Sequence, residues 1–134
     1  MGTDSAHDEV IAVLQDLARA IANGDVGSVL ASFWDSDQTM MVGSEQGETA
    51  FGRDALRQLW TRVLSRGQCY TLQWYDERVA SAGSVAWLSA RAVVTLVGTQ
   101  GQRDLPYRAT LVLIRPVDRW VIAQYHGSEP AAAW

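Results

Sequence analysis

The chain has 134 residues, of which 48% are hydrophobic and 19% are charged, and its formal net charge is −4. This size and this balance predict one globular domain and exclude a disordered chain. All eleven basic residues are arginines that stand singly, so the sequence offers no basic stripe for nucleic acid and no lysine for Schiff-base chemistry.

The first half of the chain is predicted to hold three helices, with a short strand and an exposed, mobile loop before the third. Apolar residues at helical spacing indicate the helices, Asn23-Gly24 stops the first, and Asp25 can cap the second. The predicted ranges are 5–22 and 26–34 for the first two helices, 38–43 for the strand, 44–49 for the loop and 53–64 for the third helix.

The second half is predicted to be an antiparallel sheet. Strand-like runs cover 68–80, 85–98, 105–116 and 120–126, and short polar links join them. Because the helices precede the strands and do not alternate with them, the sequence predicts an α+β fold with the helices on one face of the sheet. The run 111–114 is apolar on both faces, so its outward face needs a partner surface.

The location of the protein is predicted from its N-terminal sequence and from its longest apolar runs. The first twenty residues carry acids and a polar stretch where a signal peptide needs a basic start and an apolar run. No segment approaches the roughly 20 apolar residues that cross a bilayer. We therefore expect a cytoplasmic protein without a membrane span.

Three local patterns and the order of the elements resemble the SnoaL-like branch of the nuclear-transport-factor-2-like superfamily, which is related to polyketide cyclases and ketosteroid isomerases. The patterns are Asn23-Gly24-Asp25-Val26, Gly52-Arg53-Asp54-Ala55-Leu56, and Arg108 together with the run 120–128. The resemblance covers about residues 9–128, within a single domain 1–134 whose ends, 1–4 and 129–134, are expected to be flexible unless Trp134 docks.

The resemblance implies a cone-shaped half-barrel in which three N-terminal helices pack on a curved antiparallel sheet and enclose a pocket. It also implies a homodimer through the outer face of the sheet, which agrees with the two-faced run 111–114. We expect a hydrophobic small molecule as the ligand, and neither a membrane nor nucleic acid as a partner.

The residues that catalyse isomerisation in ketosteroid isomerases are missing from this chain. Met40 or Met41 stands where the aspartate base would be, and Leu17 stands at the tyrosine position. Thr110 or Leu111 falls near the position of the acid. A thioether cannot remove a proton next to a carbonyl, so steroid isomerisation by that mechanism is disfavoured.

His126 is the first candidate for proton transfer. It alternates with Trp120, Ile122 and Gln124 along one strand, and the resemblance implies that this face looks into the cone. An imidazole exchanges protons near neutral pH, although a buried neutral histidine bonded to a backbone carbonyl explains the pattern equally well. Asp35 and Asp37, which end the second helix near the first strand, and Asp76 on the next strand are further candidates, although most such aspartates are solvated or capping.

The ligand is expected to be flat and unsaturated, because six tryptophans and four tyrosines are many for a chain of this size. Arg91 and Arg108 could hold a carboxylate or enolate oxygen, but the length of the last hairpin turn leaves open whether Arg108 faces the cavity. The candidate substrate-binding residues are Trp34, Met41, Trp60, Trp74, Trp87, Arg91, Tyr107, Arg108, Trp120 and Gln124.

The leading functional hypothesis is an enzyme of specialised metabolism that isomerises or cyclises a hydrophobic, polyketide-like intermediate. The alternatives are a non-catalytic carrier of a hydrophobic metabolite and an epoxide-opening hydrolase or cyclase. One cysteine and two distant histidines give no metal-ligand spacing, so we expect no metal and no cofactor.

Overall fold

The computed structural model describes residues 2–132, with side chains described from residue 5 onward. The helices are α1 (Gly2–Ala22), α2 (Val26–Ala31) and α3 (Arg53–Leu64). The strands are β1 (Met40–Val42), β2 (Thr49–Phe51), β3 (Cys69–Ala82), β4 (Val85–Gly98), β5 (Gly101–Ile114) and β6 (Val121–Ser128). The predicted docking of Trp134 lies outside the described residues.

The predicted α+β arrangement is confirmed, with two changes in the helices. The first helix begins at Gly2, earlier than predicted, and the second ends at Ala31 although apolar residues continue to Trp34. The second helix ends early because the chain turns to run beside β6, where the backbone N–H of Trp34 donates to the carbonyl of Ile122 at 2.8 Å. Asp25 caps this helix as expected, and its side chain accepts from the N–H of Ser28.

The six strands form one open sheet in the order β2-β1-β6-β5-β4-β3. The sheet is mixed, which corrects the expectation of a purely antiparallel one, because β1 runs parallel to β6 with Met41 opposite Tyr125. The predicted loop, 44–49, is the connection of the β1–β2 hairpin, in which residues 44–47 are exposed and Thr49 already begins β2. Gly43 closes this hairpin by donating its N–H to the carbonyl of Glu48 at 2.6 Å.

A β-bulge at Ala123 decides which side chains of β6 face the helices. Val112 pairs with Gln124, but the next pair is Leu113 with Ile122, so Ala123 has no partner on β5. The extra residue reverses the alternation of the strand. Ile122 is fully buried on the concave face, whereas Gln124 is exposed on the convex face.

The core lies between the helices and the concave face of the sheet. The apolar stripe of α1 is buried there, as its spacing predicts, together with leucines from α3, β4 and β5. The deepest helical side chains are Val10, Leu14, Leu17, Leu30, Phe33, Leu56 and Leu59, and the sheet contributes Leu88, Leu111, Leu113 and Ile122. Within residues 2–132, no helix is both long enough and apolar enough to cross a bilayer.

The two phenylalanines of the chain provide a matched test of this core. Phe33 is 1% exposed, and its ring centroid lies 6.3 Å from that of Tyr125. Phe51 on β2, by contrast, is 66% exposed. We expect Phe33→Ala to lower the free energy of unfolding by roughly 3 to 5 kcal/mol, because it leaves a cavity. Phe51→Ala should change it by about 0.5 kcal/mol or less. Urea unfolding measures both, and equal losses would contradict the fold.

Candidate functional site

One cavity opens between α3 and the concave face of the sheet. Its empty volume is about 740 Å³, counting the open mouth. Its apolar wall consists of Ile21, Met41, Leu59, Trp60, Val63, Leu72, Val94, Leu96 and Leu105. The indole of Trp60 is buried in this wall, and its Nε1–H has no hydrogen-bond partner within the described part of the chain. An unpaired buried donor costs about 1 to 3 kcal/mol.

Two tyrosine hydroxyls meet on the sheet side of this cavity. The Oη atoms of Tyr107 on β5 and Tyr125 on β6 are 2.7 Å apart, and both side chains line the cavity. One hydroxyl must donate to the other, so the pair keeps one O–H proton for a ligand. Burial raises the pKa of Tyr107 to about 12 and raises the pKa of Tyr125 well above its ordinary value, so both remain neutral donors at physiological pH.

Gly127 makes room for this pair. A Cβ atom at position 127 would collide with the hydroxyl of Tyr107, which lies across the backbone of β6. On its other side the ring of Tyr107 packs against the indole of Trp74, with 6.1 Å between the ring centroids. The two rings meet over Ala92, which pairs with Trp74 on β3 and with Tyr107 on β5 and is too small to separate them.

A carboxyl group lies near the mouth of the cavity. The side chain of Glu48 is only 12% exposed and lines the cavity. Its Oε1 accepts from the backbone N–H of Glu45 at 3.1 Å, and its Oε2 lies 3.8 Å from a guanidinium nitrogen of Arg66. Burial raises the pKa of the Glu48 carboxyl above its ordinary value near 4.5.

The loop that carries Glu48 is fastened to the end of α3. Arg66 donates to Oε2 of Glu45 at 2.6 Å, and this bond raises the pKa of the guanidinium further. Among the residues that the structure describes, Arg66 is the only arginine in the cavity wall, and it is already engaged by Glu45. The cavity therefore combines aromatic and aliphatic walls with neutral hydroxyl donors and a carboxyl group that has little solvent around it.

The comparison with known families agrees with this architecture. A sequence profile described as a SnoaL-like domain matches residues 10–132. The chain belongs to the SnoaL-like domain family. The resemblance drawn from the three sequence patterns is thereby confirmed, while no curated protein matches the chain in sequence.

Solved structures with the same fold include proteins of the nuclear-transport-factor-2-like superfamily. The chain is similar to a provisionally named dehydratase of the NTF2-like family from Streptomyces avermitilis, with TM-score 0.88 and 16% identity over 96% of this chain and 99% of that one. It is similar to an NTF2-like superfamily protein from Salmonella enterica, with TM-score 0.87 and 16% identity over 98% and 95%.

A third similar structure contains a small molecule. This protein, from Catenulispora acidiphila, was solved in complex with S-DNPA, and it matches with TM-score 0.81 and 14% identity over 94% of each chain. At these identities the structural likeness establishes the fold alone.

Three predicted binding residues of this SnoaL-like chain line the cavity, namely Met41, Trp60 and Tyr107. Trp74 packs against the ring of Tyr107 on the side that faces α1. There it lines a second pocket together with Ile11 and Leu14. Trp60, Tyr107 and Trp74 therefore form the aromatic part of the wall, and Met41 belongs to its aliphatic part.

The expectation that His126 faces the cavity is wrong. The bulge at Ala123 turns His126 outward, where it is exposed beside Arg108 and Thr110 on the convex face. Arg108 also points outward and donates to Oγ of Ser128 at 3.1 Å, which decides the question that the hairpin turn left open.

Other predicted site residues also lie outside the cavity. Trp87, Arg91 and Gln124 project from the convex face, because each falls on the outward alternation of its strand. Arg91 lies 3.8 Å from the carboxylate of Asp76 and is not available to an oxygen inside the cone.

The last three candidates lie at the helical end of the molecule. Asp35 is 86% exposed and its carboxylate is 3.6 Å from Arg53. Trp34 is half-buried next to β6, and Trp120 is buried beside α1 and α2. None of the three lines the cavity.

Sequence reasoning missed Tyr125, Glu48 and Arg66. Regular alternation puts Tyr125 on the face opposite His126, so only the bulge reveals its position. Glu48 lies in the predicted exposed loop, where its neighbours in sequence are polar and small, and Arg66 follows the predicted third helix without any signal that it reaches the cavity. The one available signal for Glu48 was Gly43, whose lack of a side chain permits the hairpin to bring the carboxyl inward.

The buried tyrosine pair predicts a late alkaline titration. Two hydroxyls of the folded protein should ionise well above pH 10, that of Tyr107 at about pH 12. Their raised pKa values add stability that is complete below about pH 10 and is lost towards pH 12, because the unfolded chain ionises first. Phenolate absorbance and urea unfolding measure both effects.

Tyr107→Phe should remove one late ionisation and reduce the alkaline loss of stability. Tyr75→Phe is the matched control, because Tyr75 is 46% exposed on β3 and touches neither hydroxyl of the pair. Ionisation of all four wild-type tyrosines with ordinary pKa values near 10 would show that the pair is not buried.

Proposed function

We propose that this SnoaL-like protein is a cofactor-independent enzyme that isomerises or cyclises a hydrophobic, polyketide-like intermediate inside the cavity. The observation that carries the proposal is the neutral Tyr107–Tyr125 pair within an otherwise apolar and aromatic wall. A carbonyl oxygen of the substrate would accept the free proton of the pair. The rest of the molecule would pack on the aliphatic and aromatic walls.

The hydroxyl pair suits a reaction in which a carbonyl oxygen gains negative charge. When a proton leaves the neighbouring carbon, the electrons move onto that oxygen, and a fixed donor stabilises the enolate that forms. Because both hydroxyls are bonded and buried, they need no reorganisation at that moment. The walls would also hold a flexible chain in a folded conformation, which favours ring closure.

A non-catalytic carrier is the second candidate function. Its specific support is that His126 and Asp35, the first two residues considered for proton transfer, lie outside the cavity. A carrier needs only the walls and one hydrogen bond for orientation. The two candidates differ in whether a bound molecule leaves the cavity changed.

The test uses an aryl triketone as a polyketide-like probe. We expect binding to quench tryptophan fluorescence, and we expect mass spectrometry to detect a product of unchanged mass or one that has lost water. Tyr107→Phe should lower the rate by roughly 10- to 100-fold, because it removes a donor to the developing oxyanion. Tyr75→Phe should leave the rate unchanged. Binding of this and related polyketones without any product would favour the carrier.

We also propose that two copies of the chain pair through the convex face of the sheet. The support is an exposed apolar patch at the β4–β5 end, in which Val85 pairs with Ile114 and Trp87 pairs with Val112. Trp87 is 49% exposed and Val85 is 37% exposed. Uncovered apolar groups of this size on neighbouring strands favour association.

Trp87→Glu tests this pairing. A charge at the centre of the patch should convert a dimer into a monomer, as measured by light scattering, with secondary structure unchanged by circular dichroism. Val117→Glu is the control, because Val117 is equally apolar and 86% exposed but lies in the β5–β6 turn. A wild-type protein that is monomeric at every concentration would contradict the proposal.

A further inference from the structure

The carboxyl group of Glu48 is unusual among the acids of this chain. It is 12% exposed, and it lines the cavity that also holds the Tyr107–Tyr125 pair. Its charge raises the pKa of both tyrosines, so the carboxyl lies within electrostatic range of the pair. Burying a carboxylate is unfavourable for folding, and ionisable groups in such environments are concentrated at functional sites.

Among the described residues, six charged or titratable side chains share the cavity wall with Glu48. Glu45 lies on the same loop, Arg66 at the end of α3, and Glu129 follows β6. The hydroxyls of Tyr107 and Tyr125 face it from β5 and β6. Tyr70 on β3 completes the set of titratable residues in the cavity wall.

These neighbours leave the Glu48 carboxylate weakly compensated. The guanidinium of Arg66 donates to Oε2 of Glu45 at 2.6 Å and lies 3.8 Å from Oε2 of Glu48. The negative charge of Glu45 also opposes ionisation of the Glu48 carboxyl. A carboxylate with few hydrogen bonds and little water is a stronger base than one in solution.

We propose that Glu48 is the general base of the cavity and removes a proton from carbon, while the tyrosine pair holds the oxygen that becomes negative. The inference rests on the proposed function, since it needs the cavity to be a reaction site. The base enters from the β1–β2 hairpin, whereas the sequence resemblance implies that Met40 or Met41 stands where ketosteroid isomerases carry theirs.

Two residues position this base. A Cβ atom on Gly43 would collide with the Glu48 carboxyl, so glycine permits the side chain to turn inward. The backbone N–H of Glu45 then fixes Oε1. Gly43→Ala should therefore displace the carboxyl without removing it.

A probe that needs only a base and a flat pocket can test the proposal without knowledge of the natural substrate. In 5-nitrobenzisoxazole, a base takes the proton on the ring carbon next to nitrogen. The electrons of the C–H bond complete a nitrile, the N–O bond breaks, and the oxygen leaves as a coloured phenolate. The protonated carboxyl then returns its proton to water, so no other reactant is consumed.

We expect the wild-type protein to bind the probe, seen as quenching of tryptophan fluorescence, and to accelerate its ring opening. Glu48→Gln should lower the accelerated rate at least about 10-fold, within the usual contribution of a general base. Gly43→Ala should lower it similarly, and Glu48→Asp should retain part of it. Glu9→Gln is the matched control, because Glu9 lies on α1 against Arg115, away from the cavity.

The pH profile gives a readout that a structural role would not produce. Because the base must be ionised, the rate should rise with pH through an acid limb displaced above pH 4.5, and Glu48→Gln should abolish that limb. Glu48→Gln should also unfold no more readily than the wild type at neutral pH, because it removes a charge that burial disfavours.

The outcomes separate this inference from the proposed function. A probe that binds and reacts equally fast in Glu48→Gln overturns the role of Glu48 and leaves the cavity as the site. A probe that does not bind to the folded protein counts against the cavity as a reaction site and overturns both proposals.

Discussion

The β-bulge at Ala123 is the constraint on which the concave face depends. By inserting one unpaired residue into β6, it lets Ile122 pack in the core and still turns Tyr125 inward further along the same strand. Without that insertion Tyr125 would point to solvent, and Tyr107 would have no hydroxyl partner. The cavity would then be lined almost wholly by apolar groups on its sheet side.

The cavity itself follows from side-chain size along the inward alternation of the sheet. Small residues at the centre of β4 and β5, such as Ala90 and Ala109, allow the helices to sit close and seal the core at one end. Towards the other end the helices no longer cover the strands, and longer side chains line an open space. The polar groups that can act on a ligand all lie in this second region.

Most of the fold follows from local chemistry that can be read in the sequence. Helical spacing, the Asn23-Gly24 stop and the Asp25 cap correctly indicate α1 and the start of α2, and the order of helices before strands gives the class. The short strand β2 was missed because three residues carry too little alternation to be recognised. The parallel pairing of β1 with β6 joins distant parts of the chain, which no local pattern reports.

The site was predicted less well than the walls around it. Met41, Trp60 and Tyr107 were identified because large apolar and aromatic residues on a helix or strand commonly face the interior. His126, Arg108 and Gln124 were misplaced because strict alternation was extended through a residue where the strand breaks it. Glu48 could not be identified because its burial is created by the tertiary position of the hairpin, and not by its neighbours in sequence.

The glycine at position 127 links two strands in a way that constrains how the protein can change. Any side chain at that position would occupy the space in which the Tyr107 hydroxyl lies, so Gly127 cannot be exchanged while that hydroxyl is kept. Variation at the two positions should therefore be correlated among relatives that preserve the hydroxyl pair. An effort to redesign the ligand preference of the cavity would have to treat the two residues as one unit.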